Sequence, residues 1–354
     1  MSEIIESAAA AEEAVQPASG QQDDVILTVS HLKKYFPIRT GIIGQKLQYL
    51  RAVDDISFKV HVGHTVGIVG ESGCGKTTMG RTIIRLYSVT GGDVIFNGMD
   101  ISKMKPRELR PIRPQIQMIF QDPYSSLSPR LNVGEIIGEA VRQHGIVSKA
   151  EYKDYIFHIM ERCGLQPQYF ERYPHEFSGG QRQRICIARS LALKPRLIIC
   201  DEPVSALDVS IQAQILNLLK SLQKELNLTC IFVGHGLGAV NYVSDRIAVM
   251  YLGKIVEIGK AADVFRSPAH PYTKALIAAA PVPDPEAAKQ ETKLLEGEVG
   301  SSQEPPSGCR FHPRCPFAQE SCRQQVPQMC EVKAGSGHFA ACPVRNGKEE
   351  QANG

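Results

Sequence analysis

The sequence lacks any long apolar run. Its 354 residues are 43% hydrophobic and 22% charged, and no apolar stretch approaches the roughly 18 residues that span a bilayer. The N-terminus also lacks a basic region, since no Lys or Arg precedes Asp24, so it does not have the start of a secretory signal. We therefore expect a cytoplasmic protein without a transmembrane segment. At about 150 residues per domain, the length predicts two domains, or one large domain with an appendage.

Basic charge is concentrated in the middle of the chain. Residues 1–24 carry six acidic side chains and no basic one, and residues 281–354 carry ten acidic and eight basic side chains. Because the overall charge is +3, residues 25–280 have a net charge of +11. A basic region of this kind can bind nucleic acid, anionic lipid or a phosphorylated ligand, or it can be an ordinary solvated surface. Charge alone leaves these four interpretations open.

Short apolar runs predict a parallel sheet. Residues 65–69, 197–200 and 230–233 are continuously apolar and alternate with helical patterns, which is typical of strands covered on both faces. Residues 77–86 have helical length and pattern. Residues 94–96 lie between two turns and predict an antiparallel piece.

A glycine-rich motif follows the first of these strands. It comprises Gly70, Glu71, Ser72, Gly73, Cys74, Gly75, Lys76 and Thr77, with Thr78 next in the chain. Glycines allow successive backbone N–H groups to surround a phosphate, and the helix N-terminus adds a favourable dipole. In this pattern Lys76 reaches the β- and γ-phosphates of a nucleotide, and the Thr77 hydroxyl binds Mg²⁺. The flanking strand and helix favour this interpretation over a chance glycine-rich turn.

Asp201 and Glu202 end the second apolar strand. In nucleoside triphosphatases the first acid holds the water shell of Mg²⁺, and a following Glu orients or deprotonates the attacking water. The alternative is a pair of helix-capping acids. The phosphate-binding motif favours the catalytic interpretation.

A second glycine-rich helix start consists of Ser178, Gly179, Gly180 and Gln181. It suits an anion but has no lysine of its own. Here the sequence resembles the ATP-binding cassette (ABC) ATPases, whose signature these four residues match. In that family two ATPase subunits pack head to tail, and each ATP lies between the phosphate loop of one subunit and the signature of the other. The resemblance implies ATP and Mg²⁺ as ligands and a second ATPase subunit, identical or not, as partner.

The resemblance extends to other residues in the same order. It implies that Gln121 contacts Mg²⁺ and the attacking water, that Asp201 also serves Mg²⁺, and that Glu202 and His235 are catalytic. Phe36, with Tyr35 as second choice, takes the place of the aromatic that stacks on adenine. The residues implied to cross the dimer interface are Ser205, Ala206, Leu207 and Asp208. One departure is Gly236, where the family usually has Asp after the histidine; it is expected to loosen the next helix start by only a few tenths of a kcal/mol.

The predicted fold class is α/β: a P-loop ATPase core with an antiparallel β subdomain, an inserted helical subdomain and a small Cys-rich C-terminal extension. The predicted parts are a disordered acidic leader (1–24), the ABC ATPase domain (25–266) with a helical subdomain at about 122–178, an extension and linker (267–308), a Cys-rich segment (309–345) and a tail (346–354).

Residues 267–273 and 308–316 resemble the C-terminal extension of oligopeptide and dipeptide permease ATPases. The resemblance implies a motor subunit that drives peptide uptake through two separate permease subunits, assisted by an external substrate-binding protein, at the cytoplasmic face of the inner membrane. Nickel, glutathione and sugars are alternative cargoes in this group. A soluble ABC ATPase acting on DNA or the ribosome, and a metal-cluster protein with regulatory nucleotide binding, are the other classes considered. We expect no nucleic acid partner, because nucleotide and lipid headgroups account for the basic body.

Half of the ten cysteines lie within residues 309–342. Zinc modules usually contain cysteine pairs about two to four residues apart, which this segment lacks, whereas four thiolates suit an iron–sulfur cluster. The resemblance implies a 4Fe-4S cluster. Its implied ligands are Cys309, Cys315, Cys322 and Cys342, which leaves Cys330 spare. Free thiols and a zinc site remain alternatives.

Overall fold

The structure is a computed structural model that describes residues 25–40, 46–279 and 300–343. The predicted leader (1–24), the tail (346–354) and most of the predicted linker (280–299) lie outside the described residues.

A mixed eight-stranded sheet forms the centre of the protein. Five adjacent strands are parallel, in the order β6-β7-β8-β3-β9, and β10, β12 and β11 follow β9 as antiparallel neighbours. The strands are β3 (Thr65–Val69), β6 (Ile116–Ile119), β7 (Leu197–Asp201), β8 (Thr229–Val233), β9 (Arg246–Tyr251), β10 (Lys254–Lys260), β11 (Cys330–Glu331) and β12 (Phe339–Ala340). Every residue of β3, β7 and β8 is buried, which explains why their sequences are continuously apolar.

A second sheet is antiparallel, with the order β2-β1-β4-β5. Its strands are β1 (Val25–Thr40), β2 (Lys46–His61), β4 (Gly91–Phe96) and β5 (Met99–Asp100). The antiparallel piece expected at 94–96 is therefore part of β4. Leu32 and Ile56 of this sheet share one hydrophobic cluster with Ile68 of β3, so the two sheets pack together around the start of the glycine-rich motif.

Eleven helices are found in the described residues. They are α1 (Lys76–Ile83), α2 (Pro106–Leu109), α3 (Pro123–Ser126), α4 (Val133–His144), α5 (Tyr152–Arg162), α6 (Gly179–Leu191), α7 (Val209–Leu226), α8 (Leu237–Val243), α9 (Ala261–Arg266), α10 (Pro271–Ala278) and α11 (Glu320–Gln324). Helix α1 ends before the predicted residue 86 because Arg85 adopts a left-handed φ of 59°, which a continuing helix does not allow. None of the helices in this part of the chain is long and apolar enough to cross a membrane.

Helices α3 to α6 follow one another between β6 and β7, without an intervening strand among the described residues. Val133 of α4, Met160 of α5 and Ile185 of α6 are buried in a common hydrophobic cluster. The helical region expected at about 122–178 therefore contains α3, α4 and α5 and ends where α6 begins.

The cysteine-rich segment joins the main sheet. Phe339 and Ala340 pair with Ile258 and Glu257 of β10. Residues 300–308, which composition predicts as linker, also contact the core, because the carbonyl of Ser302 accepts a hydrogen bond of 3.0 Å from a backbone N–H of β2. These contacts use main-chain groups, so the side-chain composition gives no sign of them.

A buried carboxylate fixes this junction. Glu257 is fully buried and accepts hydrogen bonds from the backbone N–H groups of Ala269 and His270, both 2.8 Å, and from Nε2 of His338, 2.7 Å away. Burial alone would raise the pKa of Glu257, but the hydrogen bonds from His338, Ala269 and His270 outweigh it, and the pKa is lowered. Glu257 thus connects β10 to the start of α10 and to the residues before β12.

We expect Glu257→Gln to lower the free energy of unfolding by roughly 2 kcal/mol at about pH 7, because an amide cannot satisfy three donors as a carboxylate does. Since the folded pKa lies below the ordinary value of 4.5, the stabilisation by the carboxylate is complete above that value and is lost as the pH falls through the folded pKa. The difference between variant and parent should therefore shrink in acid.

Urea denaturation from about pH 3 to about pH 8 measures this difference. Glu320→Gln is the matched control, because Glu320 is exposed on α11, and we expect it to leave stability unchanged. A Glu257→Gln deficit of equal size at every pH would contradict the assigned role of the ionised carboxylate.

Candidate functional site

The glycine-rich motif connects β3 to α1, in the strand–loop–helix order that the sequence predicts. Gly73 and Gly75 have φ values of 77° and 106°, in the region that favours glycine. A Cβ atom added at Gly75 would lie 2.0 Å from the carbonyl oxygen of Ala52 in β2. The loop therefore turns tightly against β2, and a side chain at position 75 would displace one of the two backbones.

Lys76 is the first residue of α1, and its side chain is buried. Its Nζ donates hydrogen bonds to the carbonyl oxygens of Gly70, at 2.8 Å, and Glu71, at 3.0 Å. Nδ1 of His235 lies 3.4 Å from the same Nζ. A phosphate would accept the same hydrogen bonds from Nζ. The Lys76 amine therefore lies where the predicted phosphate binding needs it.

Three predicted catalytic residues meet at the Glu202 carboxylate, which is 6% exposed. Nε2 of Gln121 donates to its Oε2 at 2.7 Å, and Nε2 of His235 lies 2.5 Å from its Oε1. These residues follow β6, β7 and β8, whose carboxyl ends lie at one edge of the parallel sheet. Glu202 itself has a φ of 50°, which turns the chain sharply at the end of β7.

Asp201 and Thr77 form the second part of the site. The Thr77 hydroxyl donates to Oδ1 of Asp201 at 2.7 Å, and within the described residues Oδ2 accepts no hydrogen bond and lies 3.8 Å from Nη2 of Arg81. Burial raises the pKa of Asp201, and the hydrogen bond from Thr77 and the charge of Arg81 oppose this. A buried carboxylate with spare acceptor capacity beside a hydroxyl fits the water shell of Mg²⁺. The amide of Gln121, the third predicted Mg²⁺ residue, lies against Glu202 instead.

The two candidate adenine-stacking residues differ in their surroundings. The Tyr35 hydroxyl donates to the carboxylate of Asp54, and burial together with this hydrogen bond raises the pKa of Tyr35 to about 12. The Phe36 ring packs edge-to-face against Tyr87, with 5.4 Å between the centroids, and Nζ of Lys34 lies 4.8 Å from the Phe36 centroid. Tyr35 is therefore fixed by a polar contact, whereas Phe36 belongs to a small aromatic and cationic group.

The predicted signature begins α6. Oγ of Ser178 accepts a hydrogen bond of 3.4 Å from the N–H of Gln181, whose Oε1 accepts one of 3.1 Å from the N–H of Ser178. A Cβ added at Gly179 would lie 3.2 Å from Leu207, and one added at Gly180 would lie 2.5 Å from Ile211. The signature therefore packs against Leu207 of the predicted dimer loop and against Ile211 of α7.

Signature and phosphate loop are separate within one chain. No hydrogen bond between described residues joins them, and Ser178 and Gly179 are exposed. The dimer-loop residues Ser205, Ala206 and Asp208 are exposed as well. The chain thus brings the phosphate loop together with the acids, while its signature is open to solvent.

The helix after His235 begins without a side-chain cap. Gly236 is the N-cap residue of α8, with no capping hydrogen bond, and a Cβ at this position would meet only Ala239, at 3.9 Å. A capping side chain would fit here. That the helix start is looser than in the related family stays a prediction.

Four cysteines of the C-terminal segment line one small cavity: Cys309, Cys315, Cys322 and Cys342. Cys330 lies apart and is exposed on β11. Burial raises the pKa of Cys309 to about 11, and the neighbouring thiols contribute to this. All ten cysteines are described, and none forms a disulfide. Across the described ranges, no group of three or more His, Cys, Asp or Glu side chains is arranged to hold a metal ion.

Sequence reasoning missed two residues that contact the phosphate loop from the C-terminal region. The guanidinium of Arg314 donates to both carboxylate oxygens of Glu71, at 2.9 and 3.1 Å, which raises the pKa of Arg314. The phenol oxygen of Tyr272 accepts a hydrogen bond of 2.8 Å from the Glu71 N–H. No local pattern in the sequence connects position 71 with either residue.

Two family profiles match this chain. The profile described as "ABC transporter" matches residues 53–205, and the one described as "Oligopeptide/dipeptide transporter, C-terminal region" matches residues 256–322. Among solved structures, the dimeric post-hydrolysis state of the ATP-binding cassette MJ0796 bound to ADP and Pi is 28% identical, with a TM-score of 0.59 over 66% of this chain and 98% of that chain. The fold is therefore that of an ABC ATPase.

Curated relatives cover nearly the same length. The oligopeptide transport ATP-binding protein AppF of Bacillus subtilis is 50% identical over 321 residues, which are 90% of this chain and 97% of the relative. The oligopeptide transport ATP-binding protein OppF of Haemophilus influenzae is 48% identical over 323 residues, again 90% and 97%. The site geometry and this similarity agree: the chain is an ATPase that belongs to the ATP-binding subunits of the oligopeptide/dipeptide family of ABC transporters.

Proposed function

We propose that this chain hydrolyses ATP to energise the uptake of di- and oligopeptides through separate permease subunits in the membrane. The observation that carries the proposal is the convergence of Gln121 and His235 on the Glu202 carboxylate, beside Lys76. The peptide cargo is inferred from the C-terminal family match over residues 256–322 and from the names of the relatives.

Each residue at this site has a task that its contacts support. Lys76 leaves the carbonyls of Gly70 and Glu71 to bind the β- and γ-phosphates. Glu202 orients or deprotonates the attacking water, since its buried carboxylate is a strong acceptor next to the phosphate loop. Thr77 would hold Mg²⁺ directly and Asp201 through water, and the ion would supply charge neutralisation at the phosphate oxygens.

Gln121 and His235 complete the same site. Gln121 donates a hydrogen bond to the Glu202 carboxylate, and Nε2 of His235 lies 2.5 Å from the other carboxylate oxygen. We assign these two residues to placing that carboxylate and sensing the γ-phosphate. Gly70 to Thr78 cradle the phosphates, and Phe36 is the proposed adenine-stacking residue because its ring has no competing polar contact of the kind that fixes Tyr35.

A complete site requires a second ATPase subunit. The chain has one phosphate loop and one signature. The signature, Ser178 to Gln181, begins with two exposed residues and would contribute to the ATP of that partner. Ser205 to Asp208 would lie at the interface. We place the assembly at the cytoplasmic face of the membrane, with two permease subunits and an external substrate-binding protein.

We propose that the ATPase domain comprises residues 25–266 and includes a helical subdomain at about 122–178. The extension and linker (267–308) and the Cys-rich segment (309–345) follow it.

We propose further that Cys309, Cys315, Cys322 and Cys342 bind a 4Fe-4S cluster. The support is that these four thiols line one cavity while Cys330 lies apart. As donors they suit iron and sulfide, and they must lose their protons on binding. The cluster would supply a covalent connection between parts of the segment that are distant in sequence.

The catalytic assignment is tested with Glu202→Gln. We expect steady-state ATP hydrolysis to be lost, because the amide cannot act on the water, while binding of ATP persists. Phosphate release by the assembled transporter and binding of a fluorescent ATP analogue are the two measurements. Arg323→Gln, at an exposed position of α11, is the control. Hydrolysis at the parent rate would show that Glu202 is not the catalytic carboxylate.

The cargo is tested in cells that lack this subunit. We expect uptake of labelled di- and oligopeptides to fall to background and to return when the parent chain, but not the Glu202→Gln variant, is supplied. Unchanged peptide uptake would overturn the peptide assignment. Loss of nickel, glutathione or sugar uptake instead would identify a different cargo for the same motor.

The cluster is tested by purification without oxygen. We expect a coloured protein with about four iron atoms per chain, and colourless protein after Cys322→Ser. Cys330→Ser is the matched control and should keep the iron. A colourless, iron-free parent protein would contradict the cluster.

A further inference from the structure

The C-terminal region holds one residue of the phosphate loop by two separate contacts. Glu71 is the second residue of the loop. Its carboxylate accepts hydrogen bonds from both terminal guanidinium nitrogens of Arg314, and its backbone N–H donates to the Tyr272 phenol oxygen. The Arg314 side chain is 6% exposed, and Tyr272 is fully buried. Because a two-point charged contact fixes orientation as well as distance, the position of Glu71 is strongly determined.

The third polar group of Glu71 is its carbonyl, which accepts hydrogen bonds from Nζ of Lys76 at 3.0 Å and from the N–H of Cys74 at 3.3 Å. The contact with Lys76 is temporary under the proposed function, because the same amine binds the phosphates of ATP. When Lys76 turns to the nucleotide, the turn hydrogen bond from Cys74 is the only hydrogen bond between described residues of the loop that is left at Glu71. The contacts from Arg314 and Tyr272 do not involve the nucleotide and can remain.

Arg314 and Tyr272 are themselves firmly placed. The rings of Tyr251, Tyr272 and Phe311 pack with centroid distances of 4.6 to 5.4 Å, and Arg314 ends the 3₁₀ turn His312–Arg314, immediately before Cys315. The same short segment is fixed at Arg310, which donates to the Asp54 carboxylate and to a backbone carbonyl. The segment between Cys309 and Cys315 is thus attached to the ATPase core at two points.

We propose that Arg314 and Tyr272 are positioning residues for the phosphate loop: they hold Glu71 so that the loop is ordered before ATP binds. The proposal rests on the proposed function, since it concerns the same ATP site. A loop that is already ordered does not spend binding free energy on ordering itself. The two residues therefore act on the affinity for ATP, and much less on the chemical step.

The test uses the full chain with the variants Arg314→Gln, Arg314→Lys and Tyr272→Phe. Arg323→Gln is the matched control, since it removes an exposed arginine from the Cys-rich segment (309–345) that also contains Arg314. Binding of a fluorescent ATP analogue gives Kd for the purified chain. Hydrolysis by the assembled transporter gives KM and kcat, and a melting curve reports folding separately.

We expect Arg314→Gln to raise Kd and KM for ATP about tenfold and to change kcat less than about twofold, because two charged hydrogen bonds are lost. Arg314→Lys should recover part of the affinity, since it keeps the charge without the two-point contact. Tyr272→Phe leaves the Glu71 N–H without its acceptor and should weaken binding about threefold. Arg323→Gln should match the parent.

ATP affinities equal to the parent in both Arg314→Gln and Tyr272→Phe would overturn the inference, and so would an effect on the melting temperature alone. A fall in kcat at constant KM would also overturn it, because the residues would then act on the chemistry. If the parent itself neither bound nor hydrolysed ATP, the proposed function would fail and this inference with it. If the parent binds ATP and the variants bind it with the same affinity, this inference fails and the proposed function stands.

Discussion

The contacts of Gln121 and His235 with the Glu202 carboxylate join three distant parts of the chain. Gln121 follows β6, Glu202 follows β7 and His235 follows β8, and the two partners hold one oxygen each. This arrangement depends on the parallel sheet, because only parallel neighbours place their carboxyl ends at one edge. The burial of β3, β7 and β8 on both faces keeps that edge in register. The proposed catalytic site is therefore a consequence of how the core packs.

Much of the site could be predicted because its chemistry is local in sequence. Phosphate binding needs glycines at fixed spacing, and the φ of 106° at Gly75 lies in the region that favours glycine. Asp201 and Glu202 can be predicted as site residues because an acid pair after an apolar strand is a short pattern. Completely buried parallel strands leave continuous apolar runs, so their positions were also visible.

The contacts of the C-terminal region could not be predicted in this way. Arg314 and Glu71 are 243 residues apart, and an ion pair between distant positions leaves no periodic signal. The same is true of His338 and Glu257, and of the backbone pairing that adds β12 to the main sheet. Composition predicted a linker and a cysteine segment, and the structure shows that much of this part packs against the ATPase core. Residues 267–273 and 308–316 identify the family correctly, and the cluster on the cysteines is a proposal.

The central claim is that the groups around Glu202 and Lys76 form a site that hydrolyses ATP when the transporter is assembled. The most direct measurement is the release of phosphate from ATP by the purified complex containing this chain, with and without a chelator of Mg²⁺. We expect the complex to produce equal amounts of ADP and phosphate, and to release no phosphate once Mg²⁺ is removed. Phosphate release at the background rate in the presence of Mg²⁺, or release that the chelator does not affect, would contradict the central claim.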